Sequence, residues 1–144
     1  VAVRAAQEMG FAEADPSLDL EGRDAAAKTA VLANVFLHAD TDPLHVQRRG
    51  INGLTAAAVA ASAAAGCRWK LICRAVAENG SLRASVGLEE IPQGHLFATV
   101  NGKGAALRLE TDMMGPLWII QENPGLNDTA AGVLQDLLTV AADF

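Results

Sequence analysis

The sequence predicts an α+β fold: a mixed, largely antiparallel sheet with helices packed on one face. Three observations carry that prediction. Apolar residues recur at helical spacing early in the chain, strict alternation replaces that spacing after Gly66, and helical spacing returns near the end. Helices, then a run of strands, then a helix is the order of an α+β domain, not of an alternating parallel one.

Taken in order, residues 3–9 continue a helical pattern that stops at Gly10, a residue suited to the left-handed cap position. Residues 11–22 read as a loop, shaped by Pro16 and Gly22 and carrying the carboxylates of Glu13, Asp15, Asp19 and Glu21. A helix rich in Ala and Leu is expected from Arg23 to Leu37, followed by a polar connection over 38–45 and a short strand around Val46. Thr55 is placed to cap an alanine-rich helix that reaches about Ala65.

Beyond Gly66 the period is two. Trp69, Leu71, Cys73 and Ala75 fall on one side of residues 68–76, with Arg68, Lys70 and Arg74 on the other. Asn79-Gly80 is a two-residue hairpin signal, and Leu82, Ala84, Val86 and Leu88 alternate after it. Phe97–Val100 and Ala105–Thr111 flank Asn101-Gly102 and read as a second strand pair, with Leu117–Gln121 a further strand. Ala130, Val133, Leu134, Leu137, Leu138 and Ala141 then define a last helix, capped by Asn127 or Asp128.

Composition limits what such a domain does. Its 144 residues have room for one domain with a proper core, spanning 1–144. A net charge of −6 argues against nucleic-acid binding, which needs clustered Lys and Arg. No stretch approaches the roughly 20 apolar residues that cross a bilayer, and no basic-then-apolar leader is recognisable, so a cytoplasmic protein away from membranes is expected. Cys67 and Cys73 lie six apart in one strand, where bridging is awkward. They suit a reducing compartment and are expected in the core. The chain starts Val-Ala-Val without an initiator Met, directly in a helical pattern, which suggests a piece of a longer protein.

Asp24 and Lys28 stand four apart at the start of a helix and so share a face. Spacing alone points to a solvated ion pair. The acidic loop just before it adds a second reading. Carboxylates beside a helix-borne lysine suit a small zwitterion, with anions for its ammonium group and a cation for its oxygen. A lysine partly withdrawn from water is also a better proton exchanger near neutrality. By contrast, His38, Asp40, Asp42 and His45 lack the spacing of a known metal site, and no metal is expected. His95 stands alone and reads as structural. Gly102-Lys103-Gly104 is not a dinucleotide loop, because a strand follows it and Leu107 occupies the place of the third glycine.

Residues 10–28, GFAEADPSLDLEGRDAAAK, resemble the substrate-binding signature of homoserine dehydrogenases: Gly-aromatic-x-Glu-x-Asp-Pro leading through an acidic loop to Gly-x-Asp-x-x-x-Lys. Weaker similarity continues through Arg49-Gly50-Ile51, Trp69-Lys70-Leu71, Ile91-Pro92 and the segment Thr129–Leu138. The resemblance implies interconversion of homoserine and aspartate 4-semialdehyde with NAD or NADP, on the route to threonine and methionine. It implies that Glu13 binds the substrate ammonium, that Asp19 and Asp24 hold its polar end and the surrounding network, and that Lys28 acts on the reacting oxygen. The family's second lysine and Gly-rich cofactor loop belong to an N-terminal Rossmann domain, so the cofactor would be bound mainly there. That nucleotide-binding domain and a second copy of the chain, in a homodimer, are the implied partners, with an amino acid as the small-molecule substrate.

One departure bears on the cofactor. Where the family carries Gly-x-Gly-Ala-Gly before the last helix, this chain has Gln121-Glu122-Asn123-Pro124-Gly125, which leaves Gly125 as the residue expected near the cofactor. The change admits a divergent dehydrogenase acting on a related substrate. A non-catalytic ligand-binding or dimerisation module that kept the fold is a further reading, as is an interaction domain whose acidic loop recruits a partner. Without its nucleotide-binding domain the segment is expected to be inactive.

Overall fold

The computed structural model describes residues 2–10 and 12–142; Phe11, the aromatic of the signature, lies outside them. It divides into two compact units, one running through Ala98 and the other starting at Thr99.

The first unit opens with α1 (Ala2–Glu8) and the single-turn α2 (Ser17–Leu20), which lies inside the segment expected to be a loop. Asp15 explains that turn: its Oδ1 accepts the Ser17 N–H at 3.1 Å, satisfying an N-terminal donor that would otherwise be orphaned. Helix α3 (Arg23–Leu37) has the bounds its sequence predicts. Its buried residues, Ala26, Thr29, Ala30 and Ala33, recur at helical spacing, so its inner face is nearly all small side chains. That lets the helix backbone come close to the sheet. Ala26 and Ala30 meet Val46 and Val86 in one apolar cluster, with Ala25, Leu71 and Ala84 around it. Each buried valine there contributes about 2 kcal/mol of apolar transfer free energy.

The sheet of this unit has the order β1-β3-β2. Strand β1 (Gln47–Arg48) pairs parallel with β3 (Ser81–Pro92), and β2 (Cys67–Glu78) pairs antiparallel with β3 from Cys67↔Pro92 to Glu78↔Ser81. The hairpin turn is the expected Asn79-Gly80, with φ of 52° and 77°, the positive values a tight hairpin requires. The odd-numbered face of β2 meets the helices: Cys73 lies against Ala25 of α3, and the Trp69 indole donates to Ala58 O of α4 (Ala56–Ala64) at 3.4 Å. Thr55 caps α4 as expected, its Oγ1 accepting the Ala58 N–H at 3.1 Å.

The other face of β2 is not purely polar. Ile72 and Ile91 are buried there with Ala98 and the flanking Phe97, and the Arg68 guanidinium donates to Ala98 O. Phe97 and Ala98 belong to α5 (Leu96–Thr99), a helical turn where the apolar pattern predicts a strand. The reason is local. His95 Nδ1 accepts the Phe97 N–H at 3.2 Å, and His95 N–H donates to Pro92 O at 2.9 Å, which winds the chain at the end of β3. His95 therefore holds structure, as its isolation in sequence suggests. Both cysteines depart from expectation, for neither lies in the core: Cys73 is exposed and Cys67 half-buried.

In the second unit, β4 (Ala105–Thr111) pairs not with Phe97–Val100 but with β5 (Gly115–Gln121), from Ala105↔Gln121 to Thr111↔Gly115. Thr111 shapes the connecting turn, its Oγ1 donating to Gly115 O at 2.8 Å and accepting the Met114 N–H at 3.0 Å. Helix α6 (Leu126–Ala142) follows, and Asp128, in its first turn, accepts the Gly125 N–H at 2.6 Å. The sequence thus identified one of the capping groups, though Asp128 lies within the helix and reaches back. Among the described residues no helix is long and apolar enough to cross a membrane.

Candidate active site

The acidic segment is tied down by its backbone. Gln7 of α1 donates through Nε2 to Glu13 O at 2.9 Å and Ala14 O at 3.2 Å, so the end of α1 sets where Glu13 begins. Glu13 and Asp19 both present exposed side chains. The Asp15 carboxyl is held below the ordinary aspartate value of 3.8, first by the Ser17 backbone N–H and then by the Ser17 hydroxyl. It stays charged in a loop already rich in acids.

Gly22 then turns the chain into α3. At φ 73° it occupies the left-handed conformation that residues with a side chain rarely adopt. Asp24 sits in the first turn of α3, where the helix dipole favours a carboxylate. One turn on, Lys28 Nζ lies 2.7 Å from Asp24 Oδ2. Arg23 and Glu21 pair beside them at 2.7 Å. The structure therefore joins two of the four expected residues directly. Among the described residues, no hydrogen bond or ion pair links the Glu13 or Asp19 side chains to that pair.

The Lys28 side chain is 72 % exposed, so the partial burial expected of a proton-exchanging lysine is not provided by this chain itself. Two clefts of about 330 and 380 Å³ lie elsewhere, around His45, Leu82 and Ala84. The lysine is nonetheless not on an ordinary polar helix face. Val31 and Val35 follow it at helical spacing and are 59 % and 61 % exposed, with Leu32 between them. Helix α3 thus has two apolar faces, one on the sheet and one running on from Lys28.

Comparison with known proteins decides the lineage. The family model described as homoserine dehydrogenase matches residues 1–138. The chain belongs to the homoserine dehydrogenase family. It is 38 % identical over 145 residues to a homoserine dehydrogenase of Mycobacterium leprae, covering 97 % of this chain and 33 % of that protein. An NAD(+)-dependent homoserine dehydrogenase of Pseudomonas canavaninivorans is 31 % identical, with 96 % of this chain and 40 % of that protein covered. The fold matches the crystal structure of S. aureus homoserine dehydrogenase at pH 6.0 with a TM-score of 0.87 and 34 % identity, over 99 % of this chain and 36 % of that one. The chain spans about a third of the length of the homoserine dehydrogenases of Mycobacterium leprae and Mycobacterium bovis that it matches.

Gly125, the residue expected near a cofactor, has its N–H engaged by the Asp128 carboxylate. That donor is therefore not free to bind an anion. Gly102-Lys103-Gly104 leads into β4, as expected, not into a helix. Among the described residues no cluster of three or more His, Cys, Asp or Glu is arranged to hold a metal. Gly50, marked in the sequence only by the weaker Arg49-Gly50-Ile51 similarity, has its backbone against Leu20 and Glu21, a contact the sequence did not reveal.

Proposed function

We propose that this chain is the substrate-holding region of a homoserine dehydrogenase that interconverts homoserine and aspartate 4-semialdehyde with NAD or NADP. The observation that carries the reading is the Asp24–Lys28 pair at the start of α3, set behind the acidic segment of the family signature. Glu13 takes the substrate ammonium group, and Asp19 and Asp24 hold its polar end. Lys28 faces the hydroxyl oxygen, accepts its proton on oxidation, and returns one to the aldehyde oxygen on reduction. An ammonium held at that oxygen also stabilises negative charge developing there.

With the Gly125 N–H engaged by Asp128, the cofactor is held mainly by the nucleotide-binding domain of the whole protein. The apolar stripe Val31, Leu32, Val35 supports that arrangement: a second body laid on it would close over Lys28 and exclude water. The exposed Val133, Leu134, Leu137 and Leu138 of α6 support a further cover, including a second copy in a homodimer. Two free cysteines are in keeping with the cytoplasm.

The test is homoserine-dependent reduction of NAD or NADP by the full-length protein. Lys28→Ala is expected to lower turnover by roughly 10²-fold or more with the thermal unfolding midpoint retained. Unchanged turnover would remove Lys28 from the mechanism.

A further inference from the structure

The segment Arg49-Gly50-Ile51 bridges the sheet and the acidic segment. Arg49 N–H donates to Val86 O of β3 at 2.8 Å, and Ile51 N–H donates to Leu20 O, at the end of α2, also at 2.8 Å. Gly50 between them has no room for a side chain. A Cβ there would lie 2.6 Å from Glu21 Cα and 2.8 Å from its carbonyl carbon, and closer still to Leu20 O. All three are backbone atoms, so no rotamer change relieves the overlap. Across the same gap, a Cβ on Gly22 would lie 3.7 Å from Gly50 Cα and 3.4 Å from Val86 Cγ1. Two glycines therefore face each other where the acidic segment rests on the sheet.

We propose that Gly50 is a positioning residue for homoserine: its missing side chain sets how closely the Leu20–Gly22 turn rests on the Arg49-Gly50-Ile51 segment, and so fixes Asp19 relative to the Asp24–Lys28 pair. The inference rests on the site reading above. Asp19 precedes the clamped Leu20–Glu21 backbone directly, and Asp24 follows it by three residues. Moving that backbone shifts one acid against the other. Displacements of about 1 Å in a positioned site cost on the order of 10²-fold in rate.

The experiment is Gly50→Ala in the full-length protein, compared with Gly53→Ala. Gly53 has a positive φ, 97°, which Gly50 does not share, and open space around its Cβ position, so Gly53→Ala carries backbone strain alone and Gly50→Ala the clash alone. Gly50→Ala is expected to raise KM for homoserine at least tenfold and leave KM for the dinucleotide within twofold. Gly53→Ala is expected to lower the unfolding midpoint with both KM values unchanged. A folded Gly50→Ala protein with unaltered homoserine KM overturns the proposal, as does an equal KM rise in Gly53→Ala. Should Gly50→Ala not fold, the wild-type protein decides: homoserine is expected to slow hydrogen exchange of the Ile51 amide by tenfold or more, and an insensitive amide rejects the idea. Lys28→Ala separates the two levels. Retained turnover there removes the functional reading itself, whereas lost turnover with a normal Gly50→Ala removes only the role of Gly50.

Discussion

Lys28 Nζ sits 2.7 Å from Asp24 Oδ2, one turn apart on α3, with the two side chains 72 % and 46 % exposed. An exposed pair at this spacing contributes only about 0.3–0.5 kcal/mol to stability. Its consequence is directional: the carboxylate holds a flexible ammonium toward the start of α3, beside the acidic segment.

Exchange of that lysine for arginine separates charge from proton transfer. Lys28→Arg keeps a cation for Asp24, but a guanidinium does not give up its proton in the accessible pH range. Turnover of homoserine in the full-length protein is expected to fall about as far as in Lys28→Ala, by roughly 10²-fold, while homoserine KM changes less than it does in the alanine variant. Steady-state kinetics on the two variants checks this. Near-normal turnover in Lys28→Arg would mean that charge alone suffices at that position.

Ser62 offers a test of the helix–sheet contact away from the site. It is 1 % exposed, and its hydroxyl has no hydrogen-bond partner among the described residues. A buried hydroxyl without a partner loses its hydration for no return. Ser62→Ala is therefore expected to stabilise the protein by about 1 kcal/mol, read as a higher denaturation midpoint at unchanged slope. A loss of stability would reveal a partner for this hydroxyl.

Where pattern and local chemistry agree, the structure follows the sequence closely. Alternation on both sides of Asn79-Gly80 places β2 and β3 with their register, and the small-residue stripe of α3 gives that helix its inner face. The misreadings arise where one side chain overrides the pattern. The His95 ring winds Phe97 into a helical turn, and Thr111 folds β4 onto β5, leaving Phe97–Val100 out of the pairing. In the site, the ordered signature gives Asp24 and Lys28 together because they lie one helical turn apart. The Arg49-Gly50-Ile51 similarity marks Gly50 but not its role, which is a contact with Leu20 and Glu21, thirty and twenty-nine residues earlier in the chain, and no local period reports it.

Asp15 gives the acidic segment a pH dependence with a definite sign. Its carboxyl is depressed below 3.8, chiefly by the Ser17 backbone N–H and then by the Ser17 hydroxyl. A folded-state value below the unfolded one means that the stabilising contribution is present above pH 3.8 and is lost as the pH falls through the depressed value. In Ser17→Ala the backbone donor survives and the hydroxyl does not. An NMR titration of the Asp15 carboxyl is expected to show a midpoint below 3.8 in the wild type and a partial return upward in the variant. Identical midpoints would assign the whole depression to the backbone.

Ala30 tests whether the close approach of α3 to the sheet matters for the site as well as for the core. It is 1 % exposed and meets Val46 and Val86 in the same cluster as Ala26. Ala30→Leu adds three carbons to this buried contact, and overpacking of this kind costs about 1–3 kcal/mol. The helix relieves it by moving off the sheet, and it carries Asp24 and Lys28 with it while Gly50 continues to hold Leu20 and Glu21. The variant is thus expected to lose stability and also to raise homoserine KM in the full-length protein. Ile72→Ala, on the opposite face of β2, is the matched control: it removes apolar contact with Ile91 and Ala98 and leaves α3 in place. It should lower the unfolding midpoint and leave homoserine KM as it was. A rise in KM in both variants would mean that substrate affinity tracks global stability and not the position of α3.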